Sequence, residues 1–324
     1  MSKPANLQAL VERYLRERRR LGFGMQSAAY ALHSFARHVD TVEHHGPLTT
    51  EIMTDWARRD KRGTGDPRTW ARRLMLLRSF ARWLQQFEPR TEVPDDAIFG
   101  RLSERLAPHI YTEREIVDLL SAARRLGPAP GLRGATYEAL FGLIASTGLR
   151  VSEALQLRNV DVDLKQGILT VRRTKFAKSR QVPMHPATVK ALRHYRSQRD
   201  LSVDGTDDTP FFLATRGRRG GLNLNERQVH RVFAVLREQL GWCNRGAHHA
   251  PRIHDLRHTF VVRRILLWQT QGVDIDQTML SLSTYVGHAM ITNTYWYLSA
   301  VPELMALAAA KFESFLSRRE VADA

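Results

Sequence analysis

Apolar residues recur every three or four positions through the N-terminal part of the chain. Leu7, Leu10, Val11, Tyr14 and Leu15 form the first stripe, closed by the basic run Arg16 to Arg20 with Glu17 inside it. Further helices are predicted from Ala28 to Val39, from Thr50 to Asp60, and behind Pro67, the last with Trp70, Leu74, Leu77, Phe80, Ala81 and Leu84 inward. One apolar stripe per helix predicts a small all-helical bundle over residues 1–88. Periodicity then weakens, and Pro89, Pro94 and Pro108 with Asp95, Asp96 and Gly100 read as a linker over 89–110.

A second domain, 111–324, is predicted to begin where Thr112 and Glu115 form a capping box ahead of Ile116, Leu119 and Leu120. Ala135 to Ser146 reads as a buried helix, broken at Thr147-Gly148, and another helix opens at Val151. Residues Gly167 to Arg173 and Gln181 to Met184 alternate as strands around the basic turn Thr174 to Ser179, a β-hairpin. A helix over Pro186 to Arg199, a short strand at Phe211 to Ala214, and helices from about Asn225, His254 and Asp276 follow. An amphipathic helix over 302–319 ends the pattern. The fold class expected is mainly α with a small β-sheet, in two domains.

Charge changes the picture next. Lys and Arg number 49 against 33 Asp and Glu, a net charge of +16 among 324 residues. The excess is spread over both domains: 19 basic against 13 acidic residues up to residue 110, and 30 against 20 after it. A polyanion held between two basic domains is the partner this suggests, because each neutralised phosphate releases counterions. With 43% hydrophobic residues the chain can bury a core, which argues against disorder. The single cysteine, Cys243, rules out a disulfide framework or a cysteine zinc site, and a reducing, cytoplasmic setting is expected. No apolar run reaches membrane-spanning length, so no membrane partner is expected.

Four segments carry candidate chemistry. Thr147-Gly-Leu-Arg-Val-Ser-Glu153 sets Arg150 at a helix start with Glu153 one turn on; such a pair is often purely structural. Lys175 lies at the hairpin tip, ahead of Gln181-Val-Pro183, where a solvated lysine is the plain alternative. In His254-Asp-Leu-Arg-His-Thr-Phe260, His254 and Arg257 share a helix face, an arrangement that makes sense around an anion. Zinc held by His254 and His258, with His248 and His249 near, is a weaker reading, and no metal is expected. Val286-Gly-His288 precedes Ile291-Thr-Asn-Thr-Tyr-Trp-Tyr297, whose three aromatic residues could also be simple packing.

Taken in order, Arg150, Lys175, His254-x-x-Arg257, Gly287-His288 and Tyr297 resemble the tyrosine recombinase, or phage integrase, family. The similarity spans 110–319 as the catalytic domain and, more loosely, 4–88 as the family's helical core-binding domain. The resemblance implies an integrase- or transposase-like enzyme: a site-specific recombinase that breaks and rejoins duplex DNA through a 3′-phosphotyrosine, needing no metal, ATP or cofactor. It further implies Tyr297 as nucleophile, Arg150 and Arg257 clamping the phosphate with support from His288, and Lys175 as general acid. Glu153 would support Arg150, and His254 is the nearest helper for the phenol proton. A homotetramer on paired DNA sites is implied, acting in integration or transposition of a mobile element. The 302–316 segment could then dock on a neighbour or on its own domain.

Two features depart from the family's pattern. Leu266 to Gln277 lengthens the interval between Arg257 and His288, and Leu298-Ser-Ala follows the tyrosine. Tyr295 competes with Tyr297 for the nucleophile's place, and the nine-residue offset from His288 favours Tyr297. Three rival readings stay open: a type IB topoisomerase, a non-catalytic DNA-binding regulator, and a metal-dependent nuclease. The last lacks converging carboxylates, since Asp161/Asp163, Asp207/Asp208 and Asp274/Asp276 read as a strand end, a loop and a helix cap.

Overall fold

The first stripes become α1 (Leu7–Arg20), α2 (Gln26–Thr41), α3 (Thr50–Arg58) and α4 (Pro67–Leu84). A computed structural model describes the chain except residues 1–5, 60–62, 64, 101–104, 129–130, 173–178, 204, 216–219 and 301–324. Asn6, Thr49 and Asp66 accept backbone N–H bonds at the starts of α1, α3 and α4, and Pro67 occupies the first turn of α4, where its missing N–H costs nothing. Val11, Leu15, Leu32, Phe35, Met53, Trp56, Leu77 and Phe80 interlock as the bundle core. Burying each such side chain contributes roughly 1.5–3 kcal/mol.

Two compact units meet in sequence between Arg105 and Leu106. The described residues of 89–110 divide between the two units. Val93 and Phe99 pack on the bundle core, and Glu92 N–H donates to the Leu48 carbonyl at 2.8 Å. His109 belongs to the second unit, its ring edge-on to Tyr111 at 4.6 Å.

The second unit comprises α5 (Glu113–Arg124), α6 (Leu132–Thr147), α7 (Val151–Leu155), a three-stranded sheet, α8 (Pro186–Asp200), α9 (Glu226–Leu240), α10 (Ile253–Thr270), α11 (Ile275–Val286) and α12 (Thr292–Ala300). The Thr112 capping box forms: Thr112 N–H donates to Glu115 Oε2 at 2.7 Å, and Glu115 N–H returns to Thr112 Oγ1 at 3.1 Å. Helix α6, apolar almost all round, is the central post and packs against α5, α8 and α10.

The sheet is antiparallel in the order β1 (Val162–Asp163), β2 (Ile168–Val171), β3 (Arg180–Pro183), with Val162 opposite Leu169 and Leu169 opposite Val182. The hairpin is legible in the sequence; the two-residue β1 is too short to show alternation. The strand expected at Phe211 to Ala214 is corrected. Those residues are buried, but among the described residues their pairing is the isolated bridge Leu213 to Asn223, next to a second between Pro210 and Arg158. Phe211 and Phe212 are held by aromatic packing on Tyr195 rather than by a ladder. The tail helix expected over 302–319 lies outside the described residues. So does the Lys175 turn.

Leu266 to Gln277, the stretch that lengthens the interval between Arg257 and His288, lies mostly within helices. It carries α10 to Thr270 and, after a short turn, opens α11, where Asp274 Oδ1 accepts the Asp276 N–H. The fold is mainly helical with one small sheet.

Candidate active site

Two glycines aim the site. Gly148 ends α6 at φ +65°, a left-handed conformation that turns the chain straight into Arg150, the residue capping α7. Gly287 ends α11 at φ +70°, and His288 N–H then bonds back to the Ser283 carbonyl at 2.9 Å. A side chain at either position would collide, with the Phe260 ring 2.6 Å from a Cβ on Gly148 and the Arg180 guanidinium 2.5 Å from one on Gly287.

The three stretches that these turns and α10 present come together. Arg150 Nη1 donates to Glu153 Oε1 at 2.8 Å and Nη2 to the Gly287 carbonyl at 2.9 Å, so it links α7 to the turn bearing His288. Glu153 is also gripped by Arg180 at the start of β3, with bonds of 2.8 and 3.1 Å. Burial alone would raise this carboxyl, but the Arg180 hydrogen bonds and charge, helped by Arg150, outweigh burial and hold it down to about 2. Arg180 Nε also donates to the Tyr285 carbonyl at 2.8 Å, tying the sheet to α11.

Arg257 is 1% exposed. Its Nη1 donates to the Gly148 carbonyl at 2.7 Å, while its Nη2 is buried with no hydrogen-bond partner among the described residues. Burial first, and Arg150 second, push it down to about 9, so it remains a cation at neutral pH. A buried guanidinium with an unmet donor beside a second guanidinium is costly unless an anion completes it.

Tyr297, 2% exposed, lies on α12 against these groups. Its hydroxyl is 2.7 Å from His258 Nδ1. The rings of His254 and His258 meet edge to face at 4.7 Å, and the His288 ring lies 6.4 Å from that of Tyr297, nearly parallel to it. His288 Nδ1 is fixed by Thr294 Oγ1 at 2.7 Å. Burial, then the His254, Arg252 and Arg257 charges, push His258 down to about 2. His254 is shifted the same way by protein atoms crowding it and by Arg257, yet its side chain is open to solvent, which screens these charges. Both imidazoles are neutral at pH 7.

Arg150, Glu153, Arg257, His254, His288 and Tyr297 are thus brought near one another by these contacts, and Lys175 lies outside the described residues. Tyr295 points elsewhere: its hydroxyl donates to Asp276 Oδ1 at 3.2 Å. Among the described residues no group of three His, Cys, Asp or Glu side chains is placed to hold a metal ion, and no helix is long and apolar enough to cross a membrane.

Sequence reasoning missed three residues. The imidazole that touches Tyr297 is His258, not His254, because one α-helical turn carries the second histidine of the pair under α12. The adjacent pair could have raised it, but in sequence it reads only as a metal question. Arg180 looks like one basic residue among several in the hairpin, and Thr294 like part of a turn. Their partners, 27 and 6 positions away, give no local signal.

Fold and site together are those of a tyrosine recombinase, a site-specific recombinase enzyme. Residues 110–303 match the model of the phage integrase family. A protein of Sinorhizobium fredii (strain NBRC 101917 / NGR234) named as an integrase/recombinase, y4rB, is 36% identical over 307 residues, 94% of this chain and 96% of that protein. Tyrosine recombinase XerC of Chlamydia caviae is 28% identical over 231 residues, 71% of this chain and 67% of that one. Among solved structures, the Tn1549 transposon integrase in complex with transposon right end DNA superposes with a TM-score of 0.67 at 17% identity, covering 94% of this chain and 98% of that one. The chain belongs to the phage integrase family.

Proposed function

We propose that this recombinase breaks and rejoins DNA through a 3′-phosphotyrosine on Tyr297, and that it serves the integration or transposition of a mobile element. The observation that carries the chemistry is the Arg257 Nη2 donor, buried and unmet among the described residues, beside Arg150 and Tyr297. Attack on a phosphodiester builds a second negative charge on the nonbridging oxygens. Two guanidinium forks fixed in place, by the Gly148 carbonyl for one and by Glu153 and the Gly287 carbonyl for the other, meet that charge without reorganising. His288, oriented by Thr294, adds a third donor.

Lys175 is the proposed general acid for the leaving 5′ oxygen, carried by the hairpin whose base Arg180 ties to Glu153. The phosphotyrosine keeps the bond energy of the broken strand, so rejoining to another strand draws on neither ATP nor a divalent cation. Residues 1–88 are the proposed core-binding domain and 111–324 the proposed catalytic domain, each a binder of duplex DNA. Four copies on two paired sites, the assembly that the family resemblance implies, are the proposed working form. The mobile-element role is supported by the similarity along nearly the whole chain to the S. fredii integrase/recombinase.

The test is a covalent adduct. DNA trapped on the protein in cells is sequenced to recover the site, and a nicked duplex bearing it is incubated with protein in EDTA without nucleotide. Wild type and Tyr295→Phe should give a protein–DNA adduct resistant to denaturant, and Tyr297→Phe none. An adduct with Tyr297→Phe but not Tyr295→Phe would move the nucleophile, and dependence on a divalent ion would favour a nuclease.

A further inference from the structure

We infer that His258 is a catalytic residue, the group that takes the proton from Tyr297 as the phenol attacks. The inference rests on Tyr297 being the nucleophile and goes further, because it assigns the proton to a histidine outside the six family positions. A phenol with an ordinary pKa near ~10 is almost wholly protonated at neutral pH, so attack needs an acceptor within hydrogen-bond reach of its oxygen. His258 Nδ1, at 2.7 Å, satisfies that distance. His254 meets the His258 ring edge to face at 4.7 Å.

The surroundings keep the acceptor open. His258 sits one turn after His254 on α10, between that ring and the Trp296 and Tyr297 rings of α12, at 6.1 and 5.5 Å from the latter two. The charged or titratable groups around it are His254 and Arg257 from α10, Arg252 at its N-cap, His248 from the preceding loop, and Tyr297 itself. These and burial hold the imidazole neutral, and with its proton on Nε2 the Nδ1 lone pair receives the Tyr297 O–H. A neutral base so disfavoured as a cation is weak in the DNA-free protein. A phosphate seated on Arg150 and Arg257 offsets the cations that weaken it, so basicity rises when the substrate is in place.

The step balances. The Tyr297 O–H bond breaks and its proton passes to His258 Nδ1 as Oη bonds to phosphorus. The bond from phosphorus to the 5′ oxygen breaks, and that oxygen takes a proton from Lys175. Rejoining runs the same transfers backwards, with His258 returning the proton to the phenol.

His258→Asn separates proton transfer from positioning. Its side-chain carbonyl can still accept the phenol hydrogen bond near the Nδ1 position, but it cannot take the proton. On the nicked duplex described above, cleavage by His258→Asn should be about 100-fold slower or more at pH 7. The deficit should narrow as pH rises toward the phenol's own range, with DNA binding and hydrogen exchange of α10 at pH 7 kept. A loss below about threefold, a faster rate, or a deficit equal at every pH would overturn the inference. Should the variant fail to fold, ¹⁵N spectra of labelled histidine in the wild-type protein decide: Nδ1 of His258 unprotonated supports the assignment, and Nδ1 protonated overturns it. Tyr297→Phe run in parallel keeps the two readings apart. If it gives no adduct while His258→Asn cleaves normally, only the proton acceptor falls.

Discussion

Replacing Glu153 with Gln removes one negative charge from between two guanidiniums while preserving shape. The carboxylate is 7% exposed and takes four hydrogen bonds, from Arg150 N–H, Arg150 Nη1 and both Arg180 terminal nitrogens. Its descent from 4.5 to about 2 corresponds to about 3 kcal/mol favouring the charged form in the folded protein. The Gln variant imitates the protonated carboxyl, so at pH 7 the second unit should lose about 3 kcal/mol, in line with breaking a buried pair and leaving a charge behind. The pH sign follows from a depressed acid. Wild type holds this stability above about pH 4.5 and loses it as pH falls toward 2, so the gap between variant and wild type should close over that window. Because the chain has two units, a single global transition is the wrong readout. Hydrogen exchange of peptides covering 140–157, followed through a urea series at pH 7 and pH 4, isolates the region. A loss under about 1 kcal/mol at pH 7, or a gap that widens in acid, would refute the argument that Glu153 holds the two arginines.

The other outcomes follow from the same contacts. Gly148→Ala should destabilise the α6–α7 turn by at least about 1 kcal/mol through its positive φ and the 2.6 Å approach of Phe260, and cleavage should fall with it because the Gly148 carbonyl holds Arg257. Exchange at 140–157 and the adduct assay check both parts, and an unchanged rate would detach Arg257 from that turn. His258, pushed down from 6.5, refuses a proton that the unfolded chain accepts. Its contribution to stability is therefore complete above about pH 6.5 and shrinks as pH falls toward about 2, by up to about 1.4 kcal/mol per pH unit. Exchange of α10 amides at pH 7 and pH 5, corrected for intrinsic rates, should show this, and His258→Asn should show less of it.

The parts of the site that sequence discloses are those whose meaning is local. Thr147-Gly148-Leu149-Arg150 announces a helix stop and a helix start, so the backbone device that aims Arg150 is visible in the order of residues alone, whereas the helix end at Gly287 that aims His288 shows only in the fold. Helix α4 and the Thr112 capping box are legible for the same reason, since a cap or an apolar stripe is satisfied within one turn. The Phe211 to Ala214 stretch misleads because apolar, aromatic residues satisfy a strand and a buried loop equally, and only the partner backbone tells them apart.

What stays hidden is the layer of contacts that couples the aimed pieces. Arg180 joins β3 to Glu153 and, through the Tyr285 carbonyl, to the end of α11. Arg150 reaches the Gly287 carbonyl across 137 positions, and His258 reaches Tyr297 across 39. Each link has one end in a residue with an ordinary reading on its own element, a hairpin arginine or a helix histidine. A hydrogen bond between distant segments is a property of the packing that brings them together, and that packing is set by the apolar cores of α6 and of α10 to α12, not by the polar residues it juxtaposes. The core therefore fixes which polar groups meet, and substitutions such as Gly148→Ala that leave every catalytic side chain intact are expected to reach the chemistry through it.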